Sequence, residues 1–296
     1  MSAASRTAEV ELVLDAHAET GEGPVWDHRD QSLLWIDVTR GLVRRLDTFT
    51  GRDESFEARE HVGALALRAA GGFVLAVRGG FAGFDLDIGR PQPIADTEAA
   101  TPTNRMNDGK VDSKGRFWAG SMAYAEVGRE GSLYRLDQDH SVTKVLSRLG
   151  ISNGLGWSPD DKVMYHIDSL SGGVDAYDFN VQTGNITNGR RLIDVNRAEG
   201  TPDGMTVDAQ GFVWVALWNG WGVRRYGPDG TLDREIKLPV RQVSCCTFGG
   251  PNLRDLYITT AARGLSAEDL DEQPAAGGLF RHQPGVAGLP STPYEG

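Results

Sequence analysis

Only two cysteines occur in 296 residues, and they are neighbours, Cys245 and Cys246. Adjacent thiols cannot staple distant segments, a bridge between them is strained, and metal-ligating thiol pairs need wider spacing. Both are expected to be reduced thiols at the start of a strand. Histidine is nearly as scarce. His17, His28, His61, His140, His166 and His282 are scattered along the chain and are expected to be structural or exposed. No G-x-S-x-G is present, so a nucleophile elbow has no support. No run of 18 apolar residues exists, which excludes a helical membrane span, and MSAASRTAEVELVLD lacks the apolar centre of a signal peptide. A cytoplasmic protein is the expectation. Dense basic runs are absent beyond Arg44-Arg45, Arg190-Arg191 and Arg224-Arg225, and the formal net charge is −11. Nucleic-acid binding needs clustered Lys and Arg, so that class is set aside, and the acidic balance is read as serving solubility. No obligate protein partner is expected.

Glycine, by contrast, is abundant at 38 residues against 13 prolines. That suits many tight turns between short strands, and the repeats bear it out. Six segments open on a small or polar residue followed by a short apolar run: EGPVWD (22–27), GALALR (63–68), NDGKVD (107–112), NGLGWS (153–158), DGMTVD (203–208) and SCCTFG (244–249). After a polar turn come second strands, LLWIDV, FVLAVR, FWAGSM, VMYHID, FVWVAL and LYITTA, and then third strands such as LVRRLD, SLYRLD and GLFRH. Fourth strands are less distinct. The leading residues lie 41 to 50 positions apart, a period of about 44 that marks propeller blades. No sustained i, i+3, i+4, i+7 pattern separates them, which disfavours βαβ units. The chain therefore reads as all-β, one six-bladed β-propeller domain over residues 1–296. Its sixth unit lacks a fourth strand after GLFRH, while VELVLDA (10–16) precedes the first unit with nothing to pair with. That N-terminal strand is expected to close the ring in blade six and to leave no open edge.

Innermost blade strands run along the central channel, so equivalent leading residues converge on its axis. Here they are Glu22, Gly63, Asn107, Asn153, Asp203 and Ser244. Asn153-Gly154, Asp203-Gly204 and Asn107-Asp108-Gly109 also read as turn dipeptides. Glu22 between two glycines does not, and the shared phase of all four favours a cage. Two carboxylates held together repel strongly unless a cation sits between them. An all-oxygen set is hard and points to calcium first, with manganese or magnesium after it. Arg105 shares this mouth and suits an anionic or hydroxyl-rich ligand. Two long insertions, Ala123 to Gly131 and Ala262 to Gly277, are candidate lids.

The motifs GEGPVWD (21–27), RMNDGKVDSKGRFWAGSM (105–122), ISNGLGWSPD (151–160), YHIDS (165–169) and PDGMTVD (202–208) occur in one order along almost the whole chain. Together they resemble the SMP-30/gluconolactonase/LRE-like family. The resemblance implies a six-bladed propeller with a divalent metal ion, calcium or else zinc, manganese or magnesium, held by Glu22, Asn153 and Asp203. It also implies substrate contacts from Arg105 and Asn107. The family's substrate-contacting Glu falls on Ala125 here, so either Glu126 next to it substitutes or the role is absent. The implied partner is a small sugar lactone and the implied reaction its metal-assisted hydrolysis, with Asp203 as catalytic base. A non-catalytic calcium-binding propeller and a phosphotriesterase-like hydrolase remain the alternatives, since fold alone decides neither.

Overall fold

In the computed structural model, which describes residues 10–296, the chain forms six antiparallel four-stranded sheets. Their inner strands are Gly21–Asp27, Val62–Leu67, Asn104–Val111, Ser152–Trp157, Thr201–Val207 and Val243–Gly249. Each packs against the next, and the last packs against the first, which makes a closed six-bladed β-propeller. Second strands such as Ser32–Asp37 and Phe73–Val77 are buried along their whole length because each blade is sandwiched between two others. Trp35, Trp118 and Trp214 are fully buried there. Outer strands such as Asp53–Glu57 and Leu232–Lys237 are largely exposed and polar, which is why they left little signal in the sequence.

Two blades show how side chains fix the turn between first and second strands. Asp112 accepts from the backbone N–H of Lys114 and Arg116 and from the indole Nε1 of Trp118 at 2.8 Å. Asp208 repeats the pattern with Gln210, Phe212 and Trp214. A buried carboxylate taking three or more donors holds the turn rigid. The paired arginines noted above are consumed in the same architecture. Arg45 bridges Glu54, Arg190 bridges Asp178, Arg191 bridges Asp175, Arg224 bridges Glu199 and Glu235, and Arg225 bridges Asp208. Arg44 pairs with Asp53 in the same way.

The sixth sheet is ordered Glu11–Leu14, Leu279–His282, Asp255–Thr260, Val243–Gly249, so the N-terminal strand is its outer strand. Glu11 pairs with Arg281, Leu12 with Phe280 and Leu14 with Leu279. A second closure was not anticipated. The C-terminal segment crosses the face remote from the inner-strand starts, where Ala209 donates to Ala287 O, Tyr294 to Leu67 O and Glu295 to Gly115 O. It thereby ties blade five to blades two and three.

Close approach of the inner strands constrains one position sharply. A Cβ on Gly63 would lie 2.5 Å from the carbonyl oxygens of both Met106 and Asn107. Those atoms are backbone and cannot swing away, so Gly63→Ala is expected to destabilise the protein by about 2–3 kcal/mol. A melt unchanged within about 1 °C, against the several degrees such a loss implies, would show that the ring relaxes there.

Candidate functional site

Every inner strand carries a β-bulge near its start. Ladder pairing breaks between Glu22 and Val25, Val62 and Ala64, Met106 and Gly109, Ser152 and Leu155, Pro202 and Met205, and Val243 and Cys245. A bulge leaves one residue unpaired and re-aims its side chain. The repeat positions of blades two to six fall within these bulges, and Glu22, paired with Ile36, is the last ladder residue before its own; the Asn-Gly and Asp-Gly pairs lie inside strands and make no turn. Glu22, Asn107, Asn153 and Asp203 all line one cavity of about 120 Å³ at the channel mouth, together with Arg105. Ser244 does not join them. Its hydroxyl donates to Gly21 O at 2.6 Å and meets Thr259 Oγ1 at 2.9 Å, so the expected convergence fails in blade six. The neighbouring Cys245 lines the channel in its place, facing a larger cavity of about 290 Å³ toward the far face. Cys245 and Cys246 are unbridged and buried, and burial pushes the Cys246 thiol up to about 12, so both are inert.

The backbone leading into two of these bulges is pinned from the adjacent strand. Asp37 accepts from the N–H of Glu19 and Thr20, and Asp168 accepts from those of Gly150 and Ile151. These contacts place Glu22 and Asn153 two residues later. Ser169 Oγ accepts from Asn153 Nδ2 at 3.1 Å and donates to Pro202 O at 2.7 Å, which links blade four to the strand bearing Asp203. Asn107 donates to Ser152 O at 2.9 Å and accepts from Arg105 Nη1 at 2.7 Å.

The electrostatics are those of a site short of positive charge. Burial, then Asp203 and Asp108, hold the Glu22 carboxyl well above the usual carboxylate range. Burial and then Asp108 do the same to Asp203, against a hydrogen bond from Asn153. Asp108 itself is raised to about 6 by burial, with Lys110 opposing. Glu22 Oε2 accepts from Gly23 N–H at 2.8 Å and Asp203 Oδ1 from Asn153. Glu22 Oε1, Asp203 Oδ2 and Asn153 Oδ1 have no hydrogen-bond partner among the described residues, yet none is sealed from solvent. Three such oxygens on one cavity, two of them from mutually repelling carboxylates, fit a hard dication. Among the described residues no three His, Cys, Asp or Glu groups cluster as a metal site by themselves, so the Asn153 oxygen is needed to complete the set.

Both long insertions reach this mouth. Glu126, from the 124–130 loop, and Arg263, from the segment after the second strand of blade six, line the cavity and pair with each other at 2.7 Å. Of Ala125 and Glu126, only Glu126 lines it. A short helix, Ala267–Glu272, capped by Ser266, follows Arg263. Sequence reasoning passed over Asp108, Ser169, Trp218 and Arg263. Asp108 was signalled by its place beside an in-phase Asn, where blades one, four and five carry glycine. A Ser–His contact does exist, Ser152 Oγ to His166 Nε2 at 2.9 Å, but both residues are fully buried and outside the cavity. His166 Nδ1 has no partner, and burial lowers the imidazole to about 4. The pair lacks the orienting acid of a triad and has no access to a substrate.

The family model described as SMP-30/Gluconolactonase/LRE-like region matches residues 20–262. The chain belongs to this family. As a family member it is 40% identical to regucalcin of Xenopus laevis over 295 residues, covering 97% of this chain and 99% of that one. Among solved structures it resembles a luciferin-regenerating enzyme at 31% identity with a TM-score of 0.90, covering 97% of this chain and 99% of the other. It also resembles a regucalcin from Agrobacterium tumefaciens, described as a calcium-binding protein, at 26% identity, a TM-score of 0.92 and 98% coverage of both chains. Within the SMP-30/gluconolactonase/LRE-like family, the present chain thus shares its fold over nearly its full length. No helix among its described residues is long and apolar enough to cross a membrane.

Proposed function

We propose that this protein is a metal-dependent lactonase that opens a sugar (aldono-) lactone, with one divalent cation, calcium first, held by Glu22, Asn153 and Asp203. The supporting observation is the set of three partnerless oxygens on one cavity, two from carboxylates that burial and mutual repulsion leave uncompensated. Family membership favours the same reading. A bound dication would polarise the lactone carbonyl and favour charge developing on its oxygen. With Oδ2 turned to the cation, Asp203 would take the proton of an attacking water on Oδ1, the oxygen that accepts from Asn153. Asn107, fixed between Arg105 and Ser152 O, keeps an acceptor lone pair for a ring hydroxyl, and the Glu126–Arg263 bridge joins the two insertions beside the site.

The test is proton release on a panel of glucono-, galactono- and xylonolactones, corrected for spontaneous opening. Protein stripped of metal and reloaded with calcium, zinc, manganese or magnesium is expected to exceed the spontaneous rate, and Asp203→Ala to fall to it. A calcium-binding role without turnover is the second reading, favoured by the description of the Agrobacterium relative. Calcium binding with no lactone opened under any metal would select it.

A further inference from the structure

Four arginines in the described chain are at least nine-tenths buried: Arg105, Arg116, Arg135 and Arg225. Three have a carboxylate to answer the guanidinium, at 2.6 Å from Asp112, 2.8 Å from Asp137 and 2.7 Å from Asp208. Arg105 has none. Its Nη1 is committed to Met106 O at 3.0 Å and to Asn107 Oδ1. Its Nε and Nη2 have no partner among the described residues, and neither is sealed off, so they open on the cavity that Arg105 lines. Leaving a buried guanidinium unpaired is expensive, and such a group persists where a ligand supplies the anion.

We propose that the lactone opened here carries a carboxylate of its own, as the monolactones of aldaric acids do, and that Arg105 binds that carboxylate. This rests on the lactonase reading above. Three carboxylates line the cavity, Glu22, Asp203 and Glu126, against two guanidinium groups, Arg105 and Arg263. Adding a dication turns a net charge of minus one into plus one, which a monoanionic substrate cancels. The nearest acids to Arg105 cannot serve instead, because Glu22 and Asp203 are the groups a dication claims and Glu126 already faces Arg263. A carboxylate also matches the planar fork of a guanidinium, which can bind it through the two nitrogens left free. The chemistry is unchanged: water adds, the ring ester C–O bond breaks, and a neutral aldonolactone gives a monoanion where an acidic lactone gives a dianion and one released proton.

The experiment compares glucarolactone with gluconolactone on the calcium-loaded protein, and in parallel measures binding of the open-chain glucarate and gluconate by calorimetry. Wild type is expected to favour glucarolactone in kcat/KM, and glucarate in affinity, at least about tenfold. Arg105→Gln is expected to bring both ratios within about threefold, while Arg105→Lys, which keeps the charge but not the fork, retains part of them. Equal rates on the two lactones overturn the inference and leave the lactonase reading standing. So does a preference that survives Arg105→Gln in a variant that melts like wild type. If neither lactone is opened, the lactonase reading fails, and the calorimetric ratio then decides whether Arg105 selects a second carboxylate.

Discussion

Glu22→Gln and Asp203→Asn are each expected to raise the melting temperature of the metal-free protein while abolishing its response to calcium. Both residues are more than nine-tenths buried, and each carboxyl is held above its ordinary range by burial and by neighbouring acids. An isosteric amide removes that repulsion, a gain on the order of 1–3 kcal/mol when the group is ionised. In wild type the same relief is expected from a bound cation, which at about a hundredfold excess over its Kd would stabilise the folded state by about 2.7 kcal/mol. Because the folded pKa values are raised, the native state of metal-free protein holds more protons than the unfolded chain. Its stability from these groups is full below their ordinary range and is lost as pH rises through the folded values. The melting increment from calcium should therefore grow as pH rises above the ordinary carboxylate range, with protons released on binding. Melts at several pH values, with and without calcium, check this. Variants that melt lower than metal-free wild type, or that still respond to calcium, would contradict the cage.

Removal of residues 1–16 is expected to convert the protein into an aggregating species with a melt lower by on the order of 10 °C or more. The deletion takes away Glu11–Leu14, the outer strand of blade six, and the Glu11–Arg281 ion pair at 2.6 Å. It also strips Val13 and Leu14 from a cluster containing Trp26, Leu33, Tyr257 and Leu279. Worse than the lost contacts is the exposed edge of Leu279–His282, a short apolar strand ready to pair with another chain. Size-exclusion chromatography and a thermal melt decide the matter; a monomer melting within about 2 °C of full length would mean that the C-terminal segment alone suffices to close the ring.

Much of this architecture was legible because a propeller writes its period into the chain. Inner strands are apolar, start at a regular interval and end in polar turns, so both the blade count and the phase of Glu22, Asn107, Asn153 and Asp203 could be read. What the phase could not convey was the bulge. In four blades it presents a side chain to the channel, whereas in blade six it turns Ser244 into a contact with Gly21 O and gives Cys245 the channel. Asp108 was obscured because Asn-Asp-Gly has the composition of a turn. Arg263 lies in an insertion with no periodicity, and only the fold brings it to Glu126, 137 residues earlier. The C-terminal crossing left no trace either, since it is held by backbone hydrogen bonds that any sequence could make.

The bulges also bear on how such a protein changes over generations. A bulge residue is by construction one that the ladder does not use, so its identity can vary without disturbing strand pairing. Six equivalent positions ring one axis, and four of them carry the oxygens and amides of the candidate site. Substitution at these positions alters ligand charge and hardness one residue at a time, while the Asp–Trp turns and buried blade faces that maintain the fold lie elsewhere in the sequence. Gly63, wedged against the carbonyls of Met106 and Asn107, and Ser244, bound to Gly21 O, stand outside this exchange. Evolvability of the site is thus separated from stability of the scaffold, and new reactivity is reachable by replacing four side chains around an unchanged frame.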